Sequence, residues 1–141
     1  MRPDEPLRAI AAALRAEHRL LRRMMARMAD WLAEGVSPEG LKERGHMLFE
    51  ALEDHARYEE EKLFSQLRER SPHARHLVGM MELVHEEVRE TMRMALERAD
   101  PREDLWTLLQ LSEEHFEVEE QAVFPLAEEG SEAAIRERPV G

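Results

Sequence analysis

Apolar residues recur at intervals of three and four positions in four long segments of the chain. This spacing places them on one face of an α-helix, whereas a half-buried β-strand needs alternation at every second residue. Short connections that contain Gly, Pro or Ser separate the segments and favour breaks between helices. The sequence therefore predicts four helices, at residues 6–34, 37–70, 74–99 and 101–125.

Four long helices joined by short connections usually fold as an antiparallel up-down-up-down four-helix bundle. A chain of 141 residues is about the size of one domain. We therefore predict an all-α protein in which residues 1–130 form the bundle and residues 131–141 form a C-terminal tail. Leu77 is an alternative start for the third helix. The fourth is expected to bend or end near Pro125, which lacks the amide hydrogen that a helix needs.

The composition excludes several classes of protein. The chain has no cysteine, so disulfides, thiolate metal sites and cysteine nucleophiles are ruled out. Its net charge of −11 argues against binding to nucleic acid. No apolar stretch reaches the length of a signal-peptide core or a membrane span, so we expect a cytoplasmic protein with no membrane partner. Arginines concentrate in the first helix and acids after residue 100, which predicts a basic helix face against an acidic neighbour.

One ten-residue pattern occurs twice. Residues 55–64 read HARYEEEKLF and residues 115–124 read HFEVEEQAVF, so both follow H-x-x-x-E-E-x-x-x-F. A histidine and a glutamate four residues apart lie on one face of a helix, about 6 Å apart along its axis. Each pair can therefore reach a single metal centre, and the two copies indicate two halves of one site.

The first and third helices each carry one histidine within their apolar periodicity, His18 and His85. A single histidine in this position is more often a hydrogen-bonded core residue than a ligand. Four inward-facing imidazoles and two carboxylates are a different case, because burying them without an ion is costly. This donor set suits a pair of divalent iron or manganese ions with bridging carboxylates. We expect the other histidines, His46, His73 and His76, not to be ligands.

Other polar residues near the motifs have less specific patterns. Glu60 and Glu120 follow the proposed carboxylate ligands by one position, so we expect them to face solvent. Roles as outer partners of the histidines or as alternative ligands stay open. Ferritin-like bundles use E-x-x-H on two helices, but only one copy occurs, from Glu82 to His85. HEEVR has Arg89 where a zinc-protease motif requires its second histidine, so peptidase chemistry is unsupported.

The ordered set of histidines and H-x-x-x-E motifs resembles the hemerythrin-like, or HHE cation-binding, family. The resemblance extends from the first helix to Pro125 and implies a four-helix bundle with a di-iron centre. By position, the family's metal ligands correspond to His18, His55, Glu59, His85, His115 and Glu119. Oxygen-carrying hemerythrins have a fifth histidine four residues from the one on the third helix, where this chain has Met81 and Arg89. The chain looks more similar to four-histidine members, which are associated with iron-centre repair, nitric oxide or peroxide chemistry, and iron sensing.

The resemblance and the donor set lead us to expect a non-haem di-iron protein that interacts with oxygen, peroxide or nitric oxide in oxidative or nitrosative stress. The expected cofactor is two non-haem iron ions, with manganese or zinc as substitutes. The expected partners are a small diatomic ligand or peroxide, together with a redox partner. Two alternatives stay open: an iron storage, donation or sensing protein without turnover, and a structural helical module whose histidines hold no metal.

Overall fold

In a computed structural model, which describes residues 5–129, the chain forms four long helical segments. Helix α1 is Glu5–Glu34, α2 is Pro38–Tyr58, α3 is Pro72–Glu97 and α4 is Arg102–Val118. The described residues form no β-strand, so the predicted all-α class is confirmed. None of the helices within this range combines the length and the hydrophobicity that crossing a membrane requires. The up-down-up-down order and the domain boundary stay predictions, and the predicted tail at 131–141 lies outside the described residues.

A serine and a proline fix where each of two helices begins. Ser71 accepts a hydrogen bond from the backbone N–H of Ala74, 3.0 Å away, and Pro72 occupies the first helical position. Ser37 and Pro38 have the same roles at the start of α2. Proline is favourable there because the first N–H groups of a helix have no partner within it. The predicted start of α3 at residue 74 or 77 is therefore too late.

Both copies of the motif contain a π-helical turn that the four-residue spacing did not predict. After α2 the chain continues as the π turn Glu59–Phe64 and a last α-helical turn, Ser65–Leu67. After α4 it continues as the π turn Glu119–Val123 and stays helical to residue 129. The fourth helical segment therefore does not end near Pro125. A π turn is wider than an α-helical turn, which leaves room for a proline ring that would otherwise clash with the carbonyl four residues earlier.

The core consists of two apolar clusters with a polar layer between them. Along α1, the buried His18 separates Leu14 of one cluster from Leu21 of the other. His85 on α3 also lies between residues of the two clusters. Apolar packing on both sides of the layer holds the four helices together and keeps water away from the polar groups between them.

The basic side of α1 packs against acidic residues of α4 and of the helical residues that follow it. The Arg22 guanidinium donates hydrogen bonds to Glu113, at 3.0 Å, and to Glu120, at 2.6 Å. About two turns earlier on α1, Arg15 Nη2 donates a hydrogen bond to Glu128 Oε1 at 2.9 Å. The predicted contact between a basic face of the first helix and an acidic neighbour is confirmed.

Candidate metal centre

All six predicted ligands meet in the polar layer, where each is at most 5 % exposed. Their ligand atoms form two groups, each with all atoms within 4.8 Å of one another. One group is His18, His55, Glu59 and Glu119, and the other is Glu59, His85, His115 and Glu119. We call the position beside His18 and His55 the α1–α2 side of the centre. The position beside His85 and His115 is the α3–α4 side. Both carboxylates belong to both groups, which is the arrangement that bridging between two cations requires.

The distances within the two groups are similar. On the α1–α2 side, His18 Nε2 lies 3.0 Å from Glu119 Oε1 and 3.1 Å from His55 Nε2. On the α3–α4 side, His85 Nε2 lies 3.0 Å from Glu59 Oε1. His115 Nε2 lies 3.1 Å from Glu119 Oε2. Every histidine therefore directs its Nε2 atom towards the shared carboxylates.

Consecutive glutamates hold both ring nitrogens of each single histidine. His18 Nδ1 lies 2.7 Å from Glu120 Oε2, while its Nε2 faces Glu119. His85 Nδ1 lies 2.7 Å from Glu60 Oε2, while its Nε2 faces the preceding glutamate. The expectation that Glu60 and Glu120 face solvent is therefore wrong, and the role of outer partner left open for them is confirmed. Both glutamates lie in the π turns, whose extra residue alters the direction of consecutive side chains relative to an α-helix.

Two arginines hold these outer glutamates in turn. Arg22 Nη1 donates to Glu120 Oε2 at 2.6 Å, and Arg89 Nη2 donates to Glu60 Oε1 at 3.1 Å. Partial burial would raise the pKa of Glu120, but the hydrogen bonds from Arg22 and His18 lower it below its usual value. Sequence reasoning missed both arginines, although each follows the single histidine of its helix by four residues. The repeated H-x-x-x-R spacing is the sequence signal from which these two arginines could have been predicted.

The two remaining histidines differ in their outer contacts. His55 Nδ1 lies 2.7 Å from Glu17 Oε1 on α1, a contact that sequence reasoning did not predict. His115 Nδ1 is buried and has no hydrogen-bond partner among the described residues. Glu17 immediately precedes His18, and the residue that immediately precedes His85 is Val84. Because valine has no carboxylate, His115 lacks the anchor that His55 has.

The orientation of the imidazoles requires positive charge in the centre. A neutral imidazole that donates its Nδ1–H to a carboxylate presents a lone pair at Nε2. His18 and His55 would then direct two lone pairs at each other across 3.1 Å, beside the Glu119 carboxylate. Such an arrangement is repulsive unless a cation lies between the atoms. Imidazole nitrogens and carboxylate oxygens suit first-row divalent metals, so the residues present fit a metal centre.

The pKa values of the metal-free site agree with this requirement. Burial by itself lowers the pKa of His55, but hydrogen bonds with Glu17 and Glu59 outweigh it and raise the pKa to about 10. Burial also lowers the pKa of His115, and the charge and hydrogen bonding of Glu119 raise it to about 9. In the absence of metal, protons on these imidazoles therefore supply the positive charge that the carboxylates attract.

The residues expected not to be ligands lie elsewhere. His46, His73 and His76 are exposed and belong to neither group. The carboxylate of Glu82, the first residue of the single E-x-x-H, pairs with Arg68 at 2.6 Å instead of joining the centre. The E-x-x-H spacing therefore does not contribute a ligand here.

At the two positions four residues from His85, the side chains have other contacts. Met81 is buried in an apolar cluster. Arg89 binds Glu53 at 2.8 Å in addition to Glu60. Among residues 5–129, the candidate centre therefore includes four histidines.

Comparison with known proteins identifies one match. The family model of the hemerythrin HHE cation binding domain matches residues 9–127, which include every residue of the two groups. Neither the curated proteins nor the solved structures compared with the chain include a match. The family is one of cation-binding domains, and the buried histidine and glutamate groups fit that property. The match covers most of the sequence, and the chain belongs to the hemerythrin HHE cation binding domain family.

Proposed function

We propose that this protein binds two non-haem iron ions and uses them to interact with a small ligand, namely oxygen, peroxide or nitric oxide. The observation that supports two ions, as opposed to one, is that Glu59 and Glu119 are common to two separate groups of four ligand atoms. His18 and His55 would hold one ion, and His85 and His115 would hold the other. The role we assign to this interaction is a response to oxidative or nitrosative stress.

The iron pair would supply open coordination positions and one-electron redox chemistry to a small ligand. Glu17, Glu60 and Glu120 accept hydrogen bonds from the Nδ1 atoms of three imidazoles, which directs their Nε2 atoms inwards. Arg22 and Arg89 fix two of these carboxylates. The ligand set is thus oriented before any ion is bound, which reduces the entropy that binding must overcome.

The surroundings of the centre limit access by water. His18 stacks on Phe116, with ring centroids 4.0 Å apart, and Phe124 lies at 5.1 Å. On α3, His85 stacks on Phe64 at 5.5 Å. The aromatic rings and the two apolar clusters keep the dielectric constant around the carboxylates low, which strengthens their attraction for a cation.

The contacts of Met81 and Arg89 favour reaction over reversible oxygen carriage. Met81 is only 2 % exposed within an apolar cluster, and Arg89 is held by Glu53 and Glu60. Neither side chain supplies a nitrogen ligand, so a position that an additional imidazole would fill stays available to a small molecule. We propose that the electrons exchanged with this molecule come from a separate redox partner.

Metal analysis of protein purified without a histidine tag tests the proposal. We expect about two iron ions per chain, because carboxylate-bridged pairs hold their ions a few ångströms apart. Electronic absorption of the air-exposed protein in the near ultraviolet should report a coupled ferric pair. One bound zinc ion would preserve a cation site but contradict the di-iron proposal. Absence of bound metal after reconstitution with ferrous iron would favour the structural alternative.

A further inference from the structure

Most of the charged residues around the two sides of the centre correspond to each other in sequence. His18 and Arg22 of α1 correspond to His85 and Arg89 of α3, and the two H-x-x-x-E-E copies correspond to each other. The charged contacts follow this correspondence, since each single histidine is held by two consecutive glutamates and each second glutamate by an arginine. Differences between corresponding neutral residues therefore distinguish the two sides.

The first difference is between Phe116 and Ala56, each of which immediately follows the histidine of its motif. The Phe116 ring lies against His18 with an interplanar angle of 18°, and it covers one face of that imidazole. Ala56 has only a methyl group at the corresponding position beside His85. A cavity of about 20 Å³ is present there, and its lining includes Ala56, His85 and His115. Its volume is enough for roughly one or two water-sized groups.

The second difference is between Ser112 and Leu52, which precede the two motif histidines by three residues. Both residues line the cavity. Ser112 is 2 % exposed, and its Oγ has no hydrogen-bond partner among residues 5–129. A buried hydroxyl without a partner loses free energy relative to one that is solvated, so its presence beside a cavity indicates a polar occupant.

The cavity also extends towards the protein surface. Glu53 and Arg89 belong to its lining, and about a quarter of each side chain is exposed. The inner part of the lining includes three of the four proposed histidine ligands, His55, His85 and His115. The cavity therefore connects the outer ion pair with the α3–α4 side of the centre.

We propose that a small polar ligand, a peroxide or a two- or three-atom anion, binds from the α3–α4 side in the space that Ala56 leaves and accepts a hydrogen bond from Ser112 Oγ. This inference rests on the proposed di-iron function and specifies where its ligand binds. The Phe116 ring also lines the cavity, but it stacks on His18 and covers the α1–α2 side. Oxygen and nitric oxide are poorer hydrogen-bond acceptors, so Ser112 selects for peroxide and anions.

Azide binding to the oxidised, iron-loaded protein tests this inference. Azide is a small anion that accepts hydrogen bonds, and its Kd can be obtained from changes in visible absorption. Ala56→Leu should weaken azide binding by about tenfold or more, because the added side chain occupies the cavity. Ser112→Ala should weaken it by about tenfold, because one hydrogen bond to a charged ligand is lost. Iron content and melting temperature are measured for every variant.

Met25→Leu is the control on the α1–α2 side, because Met25 is buried on α1 and does not line the cavity. It alters the position that corresponds to Met92 of the cavity lining, and we expect its azide Kd to stay within about twofold of the wild-type value. If Ala56→Leu fails to fold, Ala56→Val provides a smaller increase in volume. Unchanged azide binding in the Ala56 and Ser112 variants, with two irons retained, would overturn the inference but leave the di-iron proposal intact. Failure of the wild-type protein to bind iron would overturn both.

Discussion

The α1–α2 side and the α3–α4 side of the centre share their charged framework and differ in what surrounds it. On both sides an imidazole Nε2 lies 3.0 Å from a shared glutamate, and its Nδ1 lies 2.7 Å from the next glutamate. The neutral neighbours are different, because Phe116 stacks on His18 whereas a cavity lies beside His85. The comparison teaches that a nearly symmetric donor set can hold two ions whose access to other molecules is unequal.

The Nδ1 contacts of the two motif histidines, His55 and His115, are also unequal. Glu17 anchors His55 Nδ1, whereas His115 Nδ1 has no partner in the part of the chain that the structure describes. A carboxylate on the outer nitrogen fixes the ring and makes its other nitrogen a stronger donor. We therefore expect the ion on the α1–α2 side to be held more tightly than the ion on the α3–α4 side.

The largest effect is expected from removing a carboxylate that both sides share. Glu119→Ala should reduce the iron content from about two ions per chain to less than one, because both groups lose a ligand and the bridge. His73→Ala should leave the iron content unchanged, since His73 is exposed and belongs to neither group. Retention of two ions by Glu119→Ala would show that the two sides bind metal independently.

Removal of the metal should reveal how much the centre contributes to folding. The site is assembled from all four helices, so a metal that binds only the folded chain stabilises it. At a metal concentration a thousand times the Kd, the stabilisation is about 4 kcal/mol, which corresponds to a difference of about 10 °C in Tm. Identical thermal melts for the loaded and the fully chelated protein would contradict this.

The metal-free protein should in addition lose stability as the pH rises. The folded-state pKa values of His55 and His115, about 10 and about 9, lie above the unfolded value of about 6.5. Their protonation therefore stabilises the fold fully below pH ~6.5, and this contribution is lost as the pH rises through the folded-state values. We expect the Tm difference between loaded and chelated protein to be larger at pH ~9 than at pH ~6. A difference that is constant with pH would show that protons do not replace the metal.

A smaller effect is expected from exchanging the outer contacts of the two sides. Glu17→Gln should weaken iron binding by about 10- to 100-fold at one position, because His55 loses its carboxylate anchor. Val84→Glu places a carboxylate at the corresponding position of α3. This change should increase the affinity for the iron ion beside His115. Competition with a calibrated chelator measures both affinities. Glu87→Gln, an exposed change on α3, serves as the control. Equal iron affinities in Glu17→Gln and the wild type would contradict the expectation that the α1–α2 side holds its ion more tightly.

The smallest effect is expected from a pair of surface contacts with opposite polarity on the two sides. Arg15 of α1 pairs with Glu128, whereas Glu82 of α3 pairs with Arg68. About a third of each side chain is exposed, so Arg15→Gln and Arg68→Gln should each cost at most about 1 kcal/mol in the free energy of unfolding. Urea denaturation measures this cost, and added salt should reduce it. A loss of iron in either variant would indicate that these pairs also position the ligands.

The six candidate ligands could be predicted because their signal is local. His55 and Glu59 share a helix face through their four-residue spacing, and His18 interrupts an apolar stripe. The contact between Glu17 and His55 could not be predicted in the same way. Glu17 is one residue from His18 in sequence, and its partner belongs to another helix. Only the packing of α1 against α2 brings the two side chains together.

The direction of Glu60 and Glu120 was predicted wrongly for a related reason. An α-helix rotates consecutive side chains by about 100°, which directs one of two neighbours away from the core. The π turns at both motifs change this rotation, and each pair of consecutive glutamates holds one histidine of another helix. Nothing in the sequence pattern alone marked these turns.

The sequence by itself determined the helical class, the donor set and the fact that the two motifs are alike. Tertiary structure alone decided which glutamate holds which histidine, that His115 Nδ1 has no partner within residues 5–129 and that a cavity lies beside Ala56. The physical reason is that spacing along a chain fixes which residues share a face of one helix. Contacts and cavities between helices depend instead on how the helices pack and on the volumes of the side chains that meet, and no interval in the sequence encodes these.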